Sequence, residues 1–439
     1  MKLRHLSAVA ATMVMVVACG GTTTPTAAPT NAPSAGPTST ATGGGGTIAA
    51  VKIGVDLPLS GNEVANGKPT LQGIQLAVAQ WNDASMGHSY TVDTNVQDDA
   101  VNGLHDPQKG AANANTLVSD DQVVGMVGPF NSNVSRAIIP VTNEFGLAQC
   151  SPSNTGVDLT KEGSEQYRPA HPDVRNYFRV ATPDDIQGPA GAQYAYNDLG
   201  ARTALVIDDT QSFGVGVANT FTTEFETLGG TTLPRVSNDF AVNTSFAAIL
   251  TTAQGQGDFD VVYFGGTQVT GGGQLRKDMG AAGLLDVPLV GPDGITTLGK
   301  GGDQGEEITL AGEENAANIH GTVAGIHDIP DPAAFAADYG AMFNGETPGA
   351  YSALAYACTQ VLLQAVDAHI AAAADLAALR EAVRAAVFAG DTWQTVLGPI
   401  NFDPNGDSSQ KFISFYKTDM TLNDGHGGWV YVKQQDFAQ

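Results

Sequence analysis

From Ile48 onward the chain alternates between short apolar runs and longer segments whose apolar residues recur at helical spacing. "IAAVKIGVDLPLSG" reads as a buried strand stopped by a Pro/Gly turn. "TLQGIQLAVAQWND" follows, with Leu71, Ile74, Val78 and Trp81 near a 3.6-residue period. "SYTVDTNVQDDA" predicts a second strand. "DPQKGAANANTLVSD" predicts a helix with Asp106 as N-cap and Pro107 at the first helical position, where a missing N–H costs nothing. "VVGMVG" is a strand, "SRAIIPVTNEFG" a helix closed by Gly146, and "LAQCS" a strand. The same alternation restarts with the helix "GPAGAQYAYNDLG" and the strand "TALVIDD", and runs on through the strands "DVVYFGG" and "VPLVGPDG". Short apolar strands separated by helices predict parallel sheets covered on both faces. Two such runs predict two α/β lobes, with "KEGSEQYRPAHPDVRNY" as a polar surface insertion near their junction.

The first 47 residues do not join this pattern. "MKLRHLSAVAATMVMVVACGG" has Lys2 and Arg4, an apolar run from Leu6 to Val17, and small residues around Cys19, which together make a targeting segment. Its apolar run is short for a membrane span. Val16-Val17-Ala18-Cys19 resembles the lipobox of bacterial lipoproteins. That resemblance implies a signal peptide over 1–18, cleavage before Cys19, and a lipid on its thiol. An ordinary secretory signal with an incidental cysteine is the alternative. Residues 19–47 are rich in Thr, Pro, Ala, Ser and Gly, carry no charge, and predict a tether between anchor and body.

Composition narrows the partners. A formal charge of −25 over 439 residues disfavours nucleic acid, whose phosphates need a basic surface. Beyond the leader only Cys150 and Cys358 remain. Export permits a disulfide, but two thiols so far apart in sequence do not establish one, and the expectation is two buried, unpaired thiols.

Ligands of parallel α/β sheets sit beyond the carboxyl ends of the strands, so the loops there are the candidate site. "LAQC" runs into "SPSNT", a cluster of small hydroxyl and amide residues that lets a backbone approach a ligand and supplies donors. Taken alone, it is also an ordinary polar turn. Ser132 starts a helix, where free N–H groups and the positive dipole end favour an anion; a plain N-cap serine has the same sequence. Asp293 sits between glycines in "GPDG" after an apolar strand, as a site carboxylate or as a surface Pro-Asp-Gly turn.

Five stretches, in order and spacing, resemble the type I periplasmic binding proteins, in the leucine/isoleucine/valine-binding branch of transport receptors. They are "IGVDLPLSG", "VGPFNSNVSRAIIPV", "SPSNTGVDLT", "VIDDTQSFGVGVANTF", and "VYFGGTQVTGGGQLRKDMGAAGL" followed by "GPDG". The resemblance covers roughly residues 51–420 and implies two Rossmann-like lobes with parallel sheets joined by a three-strand hinge. It implies discontinuous lobes, 48–184 plus 327–411 and 185–326 plus 412–439, with crossings near Thr182–Asp185, Gly325–Asp328 and Lys411–Phe412. It further implies that Ser132, Asn154 (mostly through its backbone) and Thr155 hold an amino acid's α-carboxylate and α-amine, while Asp293 pairs with the ammonium. Phe213 falls where a Tyr is common, Asn66 near an aromatic wall position, and Thr267 where another Tyr is common. Loss of two aromatic walls argues against a purely aliphatic ligand.

Other chemistries lack their residues. "TGGGQLRK" has the wrong order for a phosphate-binding loop, and no His-x-x-x-His or Cys/His metal spacing occurs. "DPNGD", 403–407, is too short for a known calcium loop and reads as a hairpin turn. No Gly-x-Ser-x-Gly elbow is present. The expectation is a non-enzymatic, extracytoplasmic, lipid-anchored receptor, monomeric and without a cofactor. It would deliver an amino acid, branched-chain-like or a related small zwitterion or amide, to the permease of an ABC importer. The same fold used as a sensor for a membrane receptor is the closest alternative, and a secreted α/β hydrolase a more distant one.

Overall fold

A computed structural model describes residues 48–298 and 305–438. The leader, Cys19 and the tether therefore lie outside the described residues. No helix among the described residues is long and apolar enough to cross a membrane.

The first lobe is built on five parallel strands in the order Thr91–Asp98, Ala50–Leu57, Val123–Val127, Gln149–Ser151, Tyr177–Arg179. The strand 123–127 is buried at every position, which explains its unbroken apolar run. Helices Val64–Trp81, Pro107–Ser119, Ser132–Glu144 and Ser352–Ile370 belong to this lobe. The predicted cap is present: the Asp106 side chain accepts from Lys109 N at 2.6 Å, with Pro107 opening the helix. Gly125 makes room for the helix 352–370, since a Cβ there would lie 2.9 Å from Leu362 Cδ2.

The second sheet has eight strands. Its centre runs Thr203–Asp208, Val261–Gly265, Leu289–Gly291, Ile319–Val323 in parallel. The strands Phe412–Asp419 and Gly428–Asp436 then continue it antiparallel. The sheet is thus mixed, where the sequence pattern predicted parallel strands alone. The turn between the last two strands is too short to carry the chain back over the sheet, so only antiparallel pairing is open to them.

Three chain segments cross between the lobes side by side. Thr182 N donates to Ala324 O at 3.0 Å, Thr182 Oγ1 to Phe412 O at 2.8 Å, and Ser414 Oγ to Gly325 O at 2.8 Å. The "DPNGD" turn is a tight turn as expected, closed by Gly406 N on Asp403 O at 2.9 Å.

The expectation of two unpaired thiols is corrected. Cys150 and Cys358 form a disulfide, with Cα atoms 5.7 Å apart across 208 residues. Cys150 is in a central strand, and the helix 352–370 brings Cys358 onto it within one buried core. That packing was invisible in the spacing of the two residues.

Candidate functional site

The loop after the strand 149–151 is fixed from behind. Ser151 Oγ accepts from Asn154 N at 3.0 Å. Arg179, wholly buried, pairs with Asp407 at 2.7 Å and donates to the carbonyls of Asn154 (3.2 Å) and Gly156 (2.7 Å) and to Thr160 Oγ1 (2.7 Å). Small polar residues end this strand because the loop is hydrogen-bonded from behind, while Ser153 and Thr155 border open space in front.

That space is a cleft between the loops of the two lobes. Five of the seven predicted ligand residues line it: Ser132 and Thr155 from the first sheet's loops, Phe213, Thr267 and Asp293 from the second's. Two do not. Asn154 is completely buried, its amide donates to the Pro129 and Phe130 carbonyls at 3.1 and 2.7 Å, and its backbone N–H and C=O are both engaged. It buttresses the loop rather than facing the cavity. Asn66 lies on the helix 64–81, away from the cavity lining.

Ser132 occupies the first turn of the helix 132–144, and Asn131 is its N-cap. Its Oγ accepts from Gly156 N at 3.2 Å, which leaves the hydroxyl hydrogen to donate. Thr155 accepts from Asp184 N at 2.9 Å through its carbonyl. Thr267 is partly committed, because its Oγ1 accepts from Thr270 N at 3.3 Å in a capping box.

Across the cleft Asp293 accepts from Gln187 Nε2 at 3.0 Å on Oδ1 and from the Tyr351 hydroxyl on Oδ2. Burial pushes its pKa from 3.8 up to about 6, against the opposing effect of these bonds. Asp184 is pushed to about 8 by burial and then by the charge of Asp293, and its Oδ1 has no partner. The Asp293 carboxylate, with the Asp184 carboxyl behind it, makes a region that favours a cation. Tyr351 also packs edge-on against Phe130, with centroids 5.2 Å apart.

The rest of the lining is His105, Phe130, Asn131, Asn133, Ser153 with Gln211, Ser212 and Gly294. Sequence reasoning missed these, along with Asp184, Gln187 and Tyr351. Phe130, Asn131 and Asn133 flank Ser132 in the quoted "GPFNSN", and Asp184 and Gln187 sit at a predicted crossing, so both groups had a signal. His105 had none. No group of three or more His, Cys, Asp or Glu among the described residues is placed to hold a metal ion.

The sequence matches the family model described as "Periplasmic binding protein" over residues 50–419. Among curated relatives, the Leu/Ile/Val-binding protein BraC3 of Rhizobium johnstonii is 28% identical over 373 residues, 84% of this chain and 92% of that one. Among solved structures, the substrate-binding protein LivJ of Streptococcus pneumoniae, crystallised with isoleucine, aligns at TM-score 0.68 and 23% identity, over 87% of this chain and 100% of that one. The leucine-binding protein LivK of Thermotoga maritima aligns at TM-score 0.70 and 24% identity, over 88% and 98%. With its two-lobed α/β fold and interlobe cleft, the chain belongs to the periplasmic binding protein family.

Proposed function

We propose that this protein is the extracytoplasmic receptor of an ABC importer and binds an amino acid between its lobes without transforming it. In this reading the α-carboxylate takes the Ser132 hydroxyl, the N-terminal amides of the helix 132–144 and the Thr155 backbone and hydroxyl. The α-ammonium takes Asp293, with Asp184 behind it. Lobes spanning 48–184 plus 327–411 and 185–326 plus 412–439 close on the ligand as a monomer. Closure is favoured because the ligand's contacts to the second lobe exist only when the cleft is shut. Cys19 carries the lipid anchor, and 19–47 tethers the body near its permease.

The observation that carries this reading is the convergence of anion-binding groups and an acidic group on opposite walls of one cavity. A thermal-shift screen of the twenty amino acids tests it. A ligand at a hundred times its Kd stabilises by about 2.7 kcal/mol, enough for a clear rise in melting temperature. If no amino acid raises the melting temperature, the reading fails.

A further inference from the structure

Beyond the groups that would hold the α-carboxylate and α-ammonium, the cavity wall is unusual for an aliphatic guest. Asn131, Asn133 and His105 from the first lobe and Gln211 from the second all line it. Asn131 Oδ1 is buried with no hydrogen-bond partner. Asn133 donates one amide hydrogen toward His105 Nε2 at 3.0 Å and accepts from Val134 N at 2.9 Å, so its second amide hydrogen is left to share. His105 is itself fixed by Glu63 Oε1 at 2.7 Å, with both side chains nearly inaccessible. Ring faces of Phe130 and Phe213 complete the lining.

This is a wall with an unpaired acceptor, amide donors and flat apolar faces. No Lys or Arg lines it among the described residues, so a side-chain carboxylate would meet no cation. A cationic side chain would find no carboxylate on this wall beyond Asp293, since Glu63 is engaged by His105 behind it. A carboxamide is neutral and planar, and carries two donors and an acceptor at its edge. A branched aliphatic side chain would leave Asn131 Oδ1 dry and unpaired.

Resting on the amino-acid reading above, we propose that the cleft selects an amino acid with a carboxamide side chain, L-glutamine or L-asparagine, over leucine, isoleucine and valine. Asn131 and Asn133 would be the specificity-determining residues. Calorimetric titration of the full chain with L-glutamine, L-asparagine, L-leucine and L-valine tests it. At least one amide amino acid should bind about fivefold or more tightly than L-leucine, the least that one unpaired buried polar group produces. Asn131→Leu should bring the two within about threefold. Gln211→Leu, on the opposite lobe, should narrow the gap independently if Asn131→Leu folds poorly. L-leucine binding as tightly as both amides would overturn this inference and leave the amino-acid reading standing. An unchanged preference in both variants would likewise overturn it. If none of the twenty amino acids binds, the amino-acid reading falls and this inference with it.

Discussion

Asp293→Asn should stabilise the empty protein and abolish its response to ligand. The carboxyl is pushed to about 6 from its ordinary 3.8, chiefly by burial. A carboxylate whose folded pKa is raised opposes folding once pH exceeds the unfolded value, and the penalty is complete above the folded value. At about 1.36 kcal/mol per pH unit, that gap amounts to about 3 kcal/mol at pH 7.5. Asparagine removes the charge and keeps an acceptor for the Tyr351 hydroxyl. Gln187 Oε1, buried without a partner, would accept from the new amide after its own side chain flips. The ligand-free variant should therefore gain about 1–3 kcal/mol, which for a lobe of about 200 residues is a rise of about 3–8 °C. The same substitution deprives a buried ammonium of its counter-charge, a loss of about 2–5 kcal/mol, so Kd should rise by about thirtyfold or more. Differential scanning fluorimetry at pH 7.5, with and without the best amino acid, reads both effects. A variant that melts lower than the parent yet retains the full ligand shift would refute the reasoning.

Other expectations follow from the same groups. Affinity for a zwitterionic ligand should fall as pH drops through about 6, where Asp293 gains a proton, and titrations at pH 7.5 and 5.0 measure the loss. Reduction of Cys150–Cys358, or replacement of both by Ala, should cost about 2–5 kcal/mol because the bridge closes a loop of about 200 residues; a reducing-agent series of urea melts reads it. Arg179→Met should cost about 3–5 kcal/mol by leaving buried Asp407 with only the Lys161 ammonium 4.0 Å away, and Arg179→Met with Asp407→Leu should recover most of that in the same melts.

The alternation of strands and helices was legible because each central strand is buried on both faces and each surface helix on one. Cap chemistry was equally readable, as Asp106 and Pro107 illustrate. Gly214, in the quoted "SFGVG", is explained only in three dimensions: a Cβ there would lie 2.2 Å from Asp209 Oδ1 and 2.3 Å from Gly265 O, so helix and strand would be forced apart. The candidate residues that came together were those in loops directly after strands, where topology fixes the location. Asn154 sits in such a loop but points backward, and no local pattern records the turn of one peptide. Asn66 failed because it lies on a helix, whose offset from the cleft depends on tertiary packing. Tyr351 and Cys358 were out of reach for the same reason: Tyr351 meets Asp293 on a second-sheet loop 58 residues away, and Cys358 meets Cys150 in a first-sheet strand across 208 residues. The antiparallel tail follows from a short connection rather than from any strand composition.

The central claim is that opposite walls of the cleft recognise the two charged ends of one amino acid. Its most direct test is calorimetric titration of the purified protein with its best amino acid beside the N-acetyl and the methyl ester derivatives of that same compound. The account predicts that each modification weakens binding at least a hundredfold, because each leaves a buried charge or donor set without its partner. Either derivative binding as tightly as the parent amino acid would contradict it.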